Sequence, residues 1–242
     1  MIKFFRQIRQ QLLSEGNTGK YLKYAIGEIV LVVIGILIAL QVNNWNENRK
    51  TQEKIKQFLV SLKSELRNDL NEINEVTEAQ VARSNSITQA IELSKNSNVK
   101  TIILTDSIKY YDPGNNFTFF PTVGSYNAAN NAGLIDDINN AELKRSVLNL
   151  YEHLYPRVVY NGAILDERTG QLEWNSKHYW DISNQSYAFN KQAILDEDFP
   201  FQLGYVNRFI RVYLMRCNDT KSGIEDVLIN IDKFLNLEPV EN

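Results

Sequence analysis

Few residues of this chain have the types and spacings that catalysis or metal binding requires. The two histidines, His153 and His178, have no glutamate three residues before them, so the Glu-x-x-His pair of di-iron bundles is absent. The sequence also lacks the His and Cys spacings of zinc sites and the glycine-rich loops that hold phosphates. We therefore predict no catalytic residue, no metal site and no cofactor, and hence no enzyme.

Acidic residues are the other candidates for chemistry. The triplet at 196–198 lacks the alternating ligand spacing of a calcium loop, and a solvated helix start is the simpler interpretation. Glu152, Asp166, Glu167 and Glu173 offer carboxylate pairs for acid and base work, but every helical protein offers such pairs. Neither group indicates a specific reaction.

The elements that would position a site begin with an apolar stretch at 25–42. Every residue from Ile29 to Leu40 is apolar or glycine. As a helix the stretch is about 27 Å long, close to the membrane's hydrocarbon thickness of about 30 Å, so we predict one transmembrane helix. The alternatives are a buried core helix and a cleaved signal peptide, and the long leader without a cleavage site disfavours the second.

Aromatic residues flank this stretch where membrane interfaces would lie. We predict that Tyr21, Tyr24 and Trp45 are interface anchors. The leader at 1–24 has a net charge of +4, which favours a cytoplasmic N-terminus, although further basic residues follow the stretch. We therefore predict a cytoplasmic leader and an extracytoplasmic domain at 43–242.

One face of the apolar stretch combines its only charged residue with small residues. On a helical wheel Glu28, Val32, Gly35 and Ala39 lie within about 40° of one line. Small residues let another helix approach closely, and an intramembrane carboxylate usually faces protein or water. We predict that this face binds a second copy or another membrane protein. The alternative is that Glu28 reaches the headgroups and Gly35 is incidental.

The charge balance limits the partners of the domain that follows. The chain carries −3 in total, so the residues after the leader carry −7. Nucleic acid is not an expected partner, because no basic face of sufficient density is present. The single cysteine, Cys217, cannot form an intramolecular disulfide.

Apolar residues that recur every three or four positions predict three long helices, at about 43–97, 141–180 and 201–236. Asn140 is the expected N-cap of the second helix, and Pro156 is expected to kink it. The first helix has an apolar stripe consisting of Ile55, Leu59, Leu62, Leu66, Leu70, Ile73, Thr77, Val81, Ser84, Ile87 and Ile91. We predict an all-α fold, in which the N-terminal transmembrane helix continues into a long antiparallel helical bundle.

A stretch of different character lies between the first two helices, at 98–140. We predict an ordered loop in which Thr122 caps a short helix that ends by Asn131, and Gly133 adopts the left-handed conformation. The aromatic residues of this loop either plug one end of the bundle or form a recognition surface. In the second case Phe117, Phe119 and Phe120 are the recognition residues.

Two segments carry a resemblance to a known family. The block KYLKYAIGEIVLVVIGILIALQVNNWNENRK at 20–50 resembles the start of an uncharacterised family of single-pass membrane proteins from flavobacteria and related Bacteroidota. The later FFPTVGSYNAANNAGLIDDINNAELK is similar, more loosely, to an internal motif of that family. The resemblance implies a bacterial inner-membrane protein with a periplasmic helical domain, and it assigns no activity to any position.

Two functions fit these predictions. The first is a non-enzymatic interaction or assembly subunit that sits in the lipid bilayer and associates with itself or with another membrane protein. The second is an extracytoplasmic ligand-sensing bundle that binds a small molecule and signals through a membrane partner. The short leader contains no signalling domain, which favours the first function.

Overall fold

A computed structural model of the chain describes residues 18–95, 102–103, 118–176, 180–181, 188–189 and 198–235. These residues are almost entirely helical, and the only strands among them are three pieces of two residues each. The all-α prediction is confirmed. The chain divides into two compact units between Lys54 and Ile55.

Helix α1 spans Thr18–Ser94 without interruption. Its most apolar window of 18 residues has a mean hydropathy of 2.6, and no residue of that window is buried. Apolar residues predominate in this part of the helix, with no polar face to contact water. The helix is therefore long and apolar enough to cross a membrane.

The remaining elements of the described residues are three short strands, four helices and a π-helical turn. In chain order they are β1 (Ile102–Ile103), α2 (Gly124–Asn131), α3 (Ala141–Asn149), a π-helical turn (Leu150–Leu154), α4 (Tyr155–Ser176), β2 (Trp180–Asp181), β3 (Ala188–Phe189) and α5 (Asp198–Leu235). Strand β3 pairs antiparallel with both β1 and β2. The helices α3 and α4 follow each other directly through the π-helical turn and form one rod.

The first two long rods of the bundle run parallel to each other. Asp69 of α1 accepts a hydrogen bond from Tyr155. Several turns further along α1, Arg83 donates a hydrogen bond to Thr169 of α4. Since the residue numbers rise together, α1 and α4 point the same way. A parallel pair requires the chain between them to return along the bundle, and the segment at 118–125 provides part of that return.

Helix α5 runs antiparallel to both rods. Lys63 forms an ion pair with Asp232, while Ser84, further along α1, bonds Asn207. Residue numbers on α5 therefore fall as those on α1 rise. The same holds against the other rod, where Asn230 bonds Ser146.

Apart from Phe58, the buried residues of α1 alternate at spacings of four and three. They are Ile55, Leu59, Leu62, Leu66, Asp69, Ile73, Val76, Gln80, Arg83 and Ile87. This is the seven-residue repeat of closely packed parallel or antiparallel helices. The predicted stripe is correct from Ile55 to Leu66 and again at Ile73 and Ile87. At four turns it lies one residue too late: the buried residues there are Asp69, Val76, Gln80 and Arg83, not Leu70, Thr77, Val81 and Ser84.

The rod of α3 and α4 widens where it meets α5. The backbone N–H of Tyr155 bonds the carbonyl of Leu150, five residues back, which defines the π-helical turn. Pro156 follows directly and has no N–H to offer the preceding turn. Opposite this turn, a Cβ added to Gly223 would lie 2.4 Å from Cδ1 of Leu154. Helix α5 therefore packs so closely against the widened turn that any side chain at position 223 would displace Leu154.

Local signals in the loop have mixed outcomes. The N-cap prediction for Asn140 is confirmed, because its side chain accepts a hydrogen bond from the Leu143 N–H. Gly133 has a φ of +73°, so the left-handed prediction is also confirmed. The cap predicted at Thr122 is wrong: the N-cap of α2 is Val123, which has no side-chain acceptor.

Candidate functional site

Three carboxylates on one face of α1 receive backbone N–H groups of the connecting segment. We call Glu65, Asp69 and Glu72 the carboxylate row. Glu72 Oε1 accepts from the Phe120 N–H at 3.3 Å, and both oxygens of Asp69 accept from the Thr122 N–H at 3.2 and 3.1 Å. Residue numbers along this segment therefore rise as those along α1 fall, so the carboxylate row holds the segment antiparallel to α1.

Glu65 supplies the cap that α2 lacks in its own sequence. Its carboxylate accepts from the backbone N–H of Ser125 at 3.3 Å and from the Ser125 hydroxyl at 2.7 Å. Ser125 lies in the first turn of α2, where N–H groups have no partner within the helix and the helix dipole favours negative charge. A distant carboxylate thus does the work of an N-cap side chain.

A group of tyrosines surrounds the central member of the row. The rings of Tyr126 and Tyr151 stack at 4.2 Å, and Tyr151 meets Tyr155 edge-on at 4.9 Å. The Tyr155 hydroxyl donates to Asp69 at 2.7 Å, and the Tyr126 hydroxyl donates to Glu152. We call Tyr126, Tyr151 and Tyr155 the tyrosine cluster. It ties three elements, α1, α2 and the second rod, around one buried carboxylate.

Further contacts hold the start of the segment inside the bundle. The backbone N–H of Phe119 donates to the Tyr213 hydroxyl at 2.7 Å, and the Thr118 hydroxyl donates to Asp166 at 3.2 Å. A Cβ added to Gly162 would lie 3.3 Å from the Thr118 Cβ, so α4 and the segment approach closely. The segment is therefore an integral layer of the core.

Burial at this site disfavours the charged forms of both the tyrosines and the central aspartate. Burial raises the pKa of Asp69 above its usual range, although the hydrogen bonds from Tyr155 and Thr122 lower that pKa in part. Burial likewise raises the pKa of Tyr151 and of Tyr155, with the nearby acidic groups adding to the effect. Tyrosinate does not form near neutral pH at such positions.

The chemistry available to the site is therefore limited. Both oxygens of Asp69 accept hydrogen bonds from within the protein, which leaves the carboxylate poorly placed as a base or a nucleophile. The tyrosines act as neutral donors. This arrangement suits a latch that fixes the connecting segment better than a site that transfers protons.

The residues predicted for the membrane face lie in the other unit. Val32, Gly35 and Ala39 are exposed in the structure, and Glu28 is partly buried. A Cβ added to Gly35 would meet nothing within 4 Å, so the backbone there is open to a close neighbour. The role of this face stays a prediction.

The predicted interface anchors are only partly described. The side chains of Tyr21 and Tyr24 lie outside the described residues. Trp45 is 65% exposed, and the Arg49 guanidinium lies 5.8 Å from the centre of its ring. This cation–π contact pairs an aromatic ring with a basic group, a combination found at membrane interfaces. The anchor role stays a prediction.

The three predicted recognition residues have different positions. Phe117 lies outside the described residues. Phe119 is 1% exposed and packs edge-on against Tyr155 at 5.9 Å, so a partner cannot reach it. Phe120 is 60% exposed. The difference arises because an extended segment points alternate side chains to opposite sides.

The histidines and the cysteine are the other candidate reactive groups. His153 lies on the surface 3.3 Å from Arg157, and His178 lies outside the described residues. Among the described residues no three or more His, Cys, Asp or Glu side chains are placed to hold a metal ion. Burial raises the pKa of the Cys217 thiol to about 11, which makes it unreactive near neutral pH.

Sequence reasoning missed the carboxylate row and the tyrosine cluster. Signals for both were present: Glu65, Asp69 and Glu72 are spaced four and three residues apart, and Tyr151 and Tyr155 are one helical turn apart. Asp69 also occupies a core position of the seven-residue repeat. A buried acid in such a position requires hydrogen-bond donors from elsewhere in the fold.

Comparison with known proteins identifies the family and no activity. No curated protein matches the chain, and no solved structure does. One family model matches residues 28–214, a range that begins inside the apolar stretch and extends into α5. It covers more than half of the chain, and with it both the apolar stretch and the bundle. The chain belongs to the family of unknown function DUF6090.

Proposed function

We propose that this protein is a single-pass membrane protein whose helical bundle serves as a non-enzymatic interaction or assembly subunit. The observation that carries the proposal is the exposure of the apolar stretch. Its large apolar side chains from Ile26 to Val42 are 47–64% exposed. A surface so apolar needs a bilayer or a partner to cover it.

The family match supports an integral role for the anchor. The matched range begins at Glu28, so the stretch is part of the family's shared sequence and not an addition to it. The charge of the leader supports an N-terminus in the cytoplasm and a periplasmic domain at a bacterial inner membrane. A reporter fused after Asn242 tests this topology, and activity confined to the cytoplasm would contradict it.

Self-association or binding of another membrane protein would use the face of Glu28, Val32, Gly35 and Ala39. The open backbone at Gly35 supports this assignment, because a second helix packs closely only where no side chain intervenes. All four residues lie within the uninterrupted helix α1, whose periodicity places them on one side of it.

The assembly function is tested by purifying the full chain from native membranes in mild detergent. Its mass and its companions are measured by light scattering and mass spectrometry. A homo-oligomer or a reproducible partner is expected, and a lone monomer contradicts the proposal.

The face is tested by Gly35→Leu, which places a bulky side chain on it and should reduce co-purification. Gly27→Leu is the matched control, because Gly27 is equally open but lies about 80° from Gly35 around the helix. Equal co-purification of the two variants would leave Glu28 and Gly35 without a binding role.

A ligand-sensing function is the second candidate, and one observation favours it. Between the C-terminal part of α1 and the N-terminal half of α5 lies a groove of about 400 Å³. That volume lies within the range of about 300–1,000 Å³ that is common for small-molecule sites. The groove is open and not sealed, so a ligand has direct access to it.

A further inference from the structure

The groove between α1 and α5 concentrates positive charge. Lys95 lies at the end of α1, and Arg208 and Arg211 lie three residues apart on α5. Among the described residues that line the groove, Glu92 is the only acidic one, and their net charge is +2. We call this region the cationic groove. Its charge contrasts with the net negative charge of the chain after the leader.

The side chains of the three cations make no polar contact that stabilises the described part of the fold. In the part of the chain that the structure describes, no ion pair or side-chain hydrogen bond involves Lys95, Arg208 or Arg211. Other basic residues of the bundle do find partners, as Lys63 does with Asp232. Like charges that share a groove repel each other unless an anion lies between them.

A fixed polar group lies beside the cations. Asn207 is 5% exposed, its side-chain oxygen accepts from Ser84 at 2.7 Å, and its amide N–H donates to Thr88 at 3.3 Å. These bonds set the orientation of the amide, whose second N–H points away from the Thr88 bond. Asn207 therefore adds a polar group of fixed orientation to the lining of the groove.

Part of the lining is apolar. Ile91, Val212 and Met215 line the groove, and Met215 is 58% exposed. A site with both a cationic rim and an apolar wall matches a ligand that has both characters. A simple inorganic anion would leave the apolar wall in water.

We infer that the cationic groove binds a small amphipathic anion, a carboxylate or phosphate group carried on a short apolar chain. Arg208 and Arg211 would bind the anionic head, since guanidinium groups match carboxylate and phosphate oxygens in pairs. Lys95 adds charge, and the apolar wall contacts the chain. Binding rests on this groove alone; only its use as a sensor rests on the proposed membrane function.

The test uses the full chain in phosphatidylcholine nanodiscs and isothermal titration calorimetry. Octanoate and hexyl phosphate are the two amphipathic probes, and they separate a carboxylate site from a phosphate site. Inorganic phosphate and octanol are the head-only and chain-only controls, and empty nanodiscs correct for partition into the bilayer. Saturable binding of octanoate or hexyl phosphate, tighter than that of either control, is expected.

Variants locate the binding. Arg208→Ala with Arg211→Ala should weaken binding by about tenfold or more, because two charge-assisted contacts are lost. Lys56→Ala with Arg67→Ala removes the same charge from exposed positions outside the groove and should leave binding unchanged. Circular dichroism checks that both double variants keep their helix content.

Three results would overturn the inference. The first is the absence of saturable binding for both amphipathic probes, and the second is equal weakening by the two double variants. The third is octanol binding as tight as that of octanoate, which would show that charge plays no part. Oligomeric mass is measured on the same samples, so a failure of binding stays distinguishable from a failure of the assembly proposal.

Discussion

Two parts of helix α1 differ in the solvent exposure of their apolar residues. In the stretch at 25–42 the large apolar side chains are about half to two thirds exposed. In the stretch from Ile55 to Ile87 the apolar members of the repeat are almost completely buried, with Ile55, Leu59 and Leu62 at 0% exposed. One continuous backbone thus serves two environments.

The difference shows that the spacing of apolar residues, more than their number, indicates whether a helix packs in a bundle or in a membrane. A bundle covers one side of a helix, so its apolar residues recur every three or four positions with polar residues between them. A membrane covers all sides, so the apolar residues are continuous. The exposed stretch therefore has the pattern of a helix that something outside the chain surrounds.

The largest effect is expected from charges placed in the exposed stretch. Ile34→Lys with Leu37→Lys should prevent stable insertion, because each lysine at the centre of a span costs about 3 kcal/mol. Alkaline carbonate extraction of membranes measures this as a shift of the protein into the soluble fraction. Val60→Lys with Val81→Lys is the control: Val60 is 59% exposed, nearly as much as Leu37 at 58%, yet it lies beyond the stretch. Retention of both double variants in the pellet would contradict the distinction.

A cavity in the buried stretch should have the next largest effect. Leu62→Ala removes a side chain that is 0% exposed and should lower the free energy of unfolding by about 3–5 kcal/mol. Denaturant titration in detergent, followed by circular dichroism, measures the change. Leu37→Ala makes the same chemical change in the exposed stretch and should alter unfolding by about 0.5 kcal/mol at most. Similar losses for the two variants would mean that Leu37 also packs against protein.

Loss of the central carboxylate should release the connecting segment. Asp69→Ala leaves the Thr122 N–H and the Tyr155 hydroxyl without an acceptor, so we expect a loss of about 2–3 kcal/mol. Denaturant titration measures the loss, and limited proteolysis shows whether cleavage near residue 120 increases. Glu72→Ala removes one bond of 3.3 Å at an exposed position and should cost about 0.5 kcal/mol. If both variants behave alike, Asp69 is not the centre of the latch.

The close approach of α5 to the π-helical turn predicts a smaller effect. Gly223→Ala must displace Leu154, at a cost of about 1–3 kcal/mol, while alanine recovers up to about 1 kcal/mol of helix propensity. We expect a net loss of about 1 kcal/mol in the free energy of unfolding. Gly170→Ala is the control, because nothing lies within 4 Å of its added Cβ, and it should stabilise the protein. A gain for both variants would show that Leu154 yields without strain.

The pH dependence of stability should give the smallest signal. Burial raises the pKa of Asp69 in the folded state, so the folded protein holds this proton more tightly than the unfolded chain does. The resulting stability is complete below the ordinary pKa of aspartate and is lost as pH rises through the raised pKa. Asp69→Asn keeps the shape of the side chain and removes the titration. We expect wild-type stability to decline relative to this variant over that interval. Denaturant midpoints measured across the interval test this, and parallel curves would refute it.

Much of the helical architecture was predictable because it depends on local patterns. The helix predicted at 201–236 is observed at Asp198–Leu235, and the Asn140 cap and the left-handed Gly133 follow from local backbone chemistry. The stripe on α1 was correct at Ile73 and Ile87 but lay one residue away from Asp69, Gln80 and Arg83, whose polar side chains are buried. Apolarity alone cannot identify a buried residue whose partners lie elsewhere in the chain.

Residue types and local spacing are enough to predict that this chain is helical, that one stretch is apolar enough to span a membrane, and where several helices begin or end. These properties depend on interactions within a few helical turns. Helix packing sets three further properties: α1 and α4 run parallel, Glu65 caps a helix 60 residues away, and Lys95, Arg208 and Arg211 share one groove. Each of these depends on contacts between residues far apart in the chain, whose geometry exists only once the helices have packed.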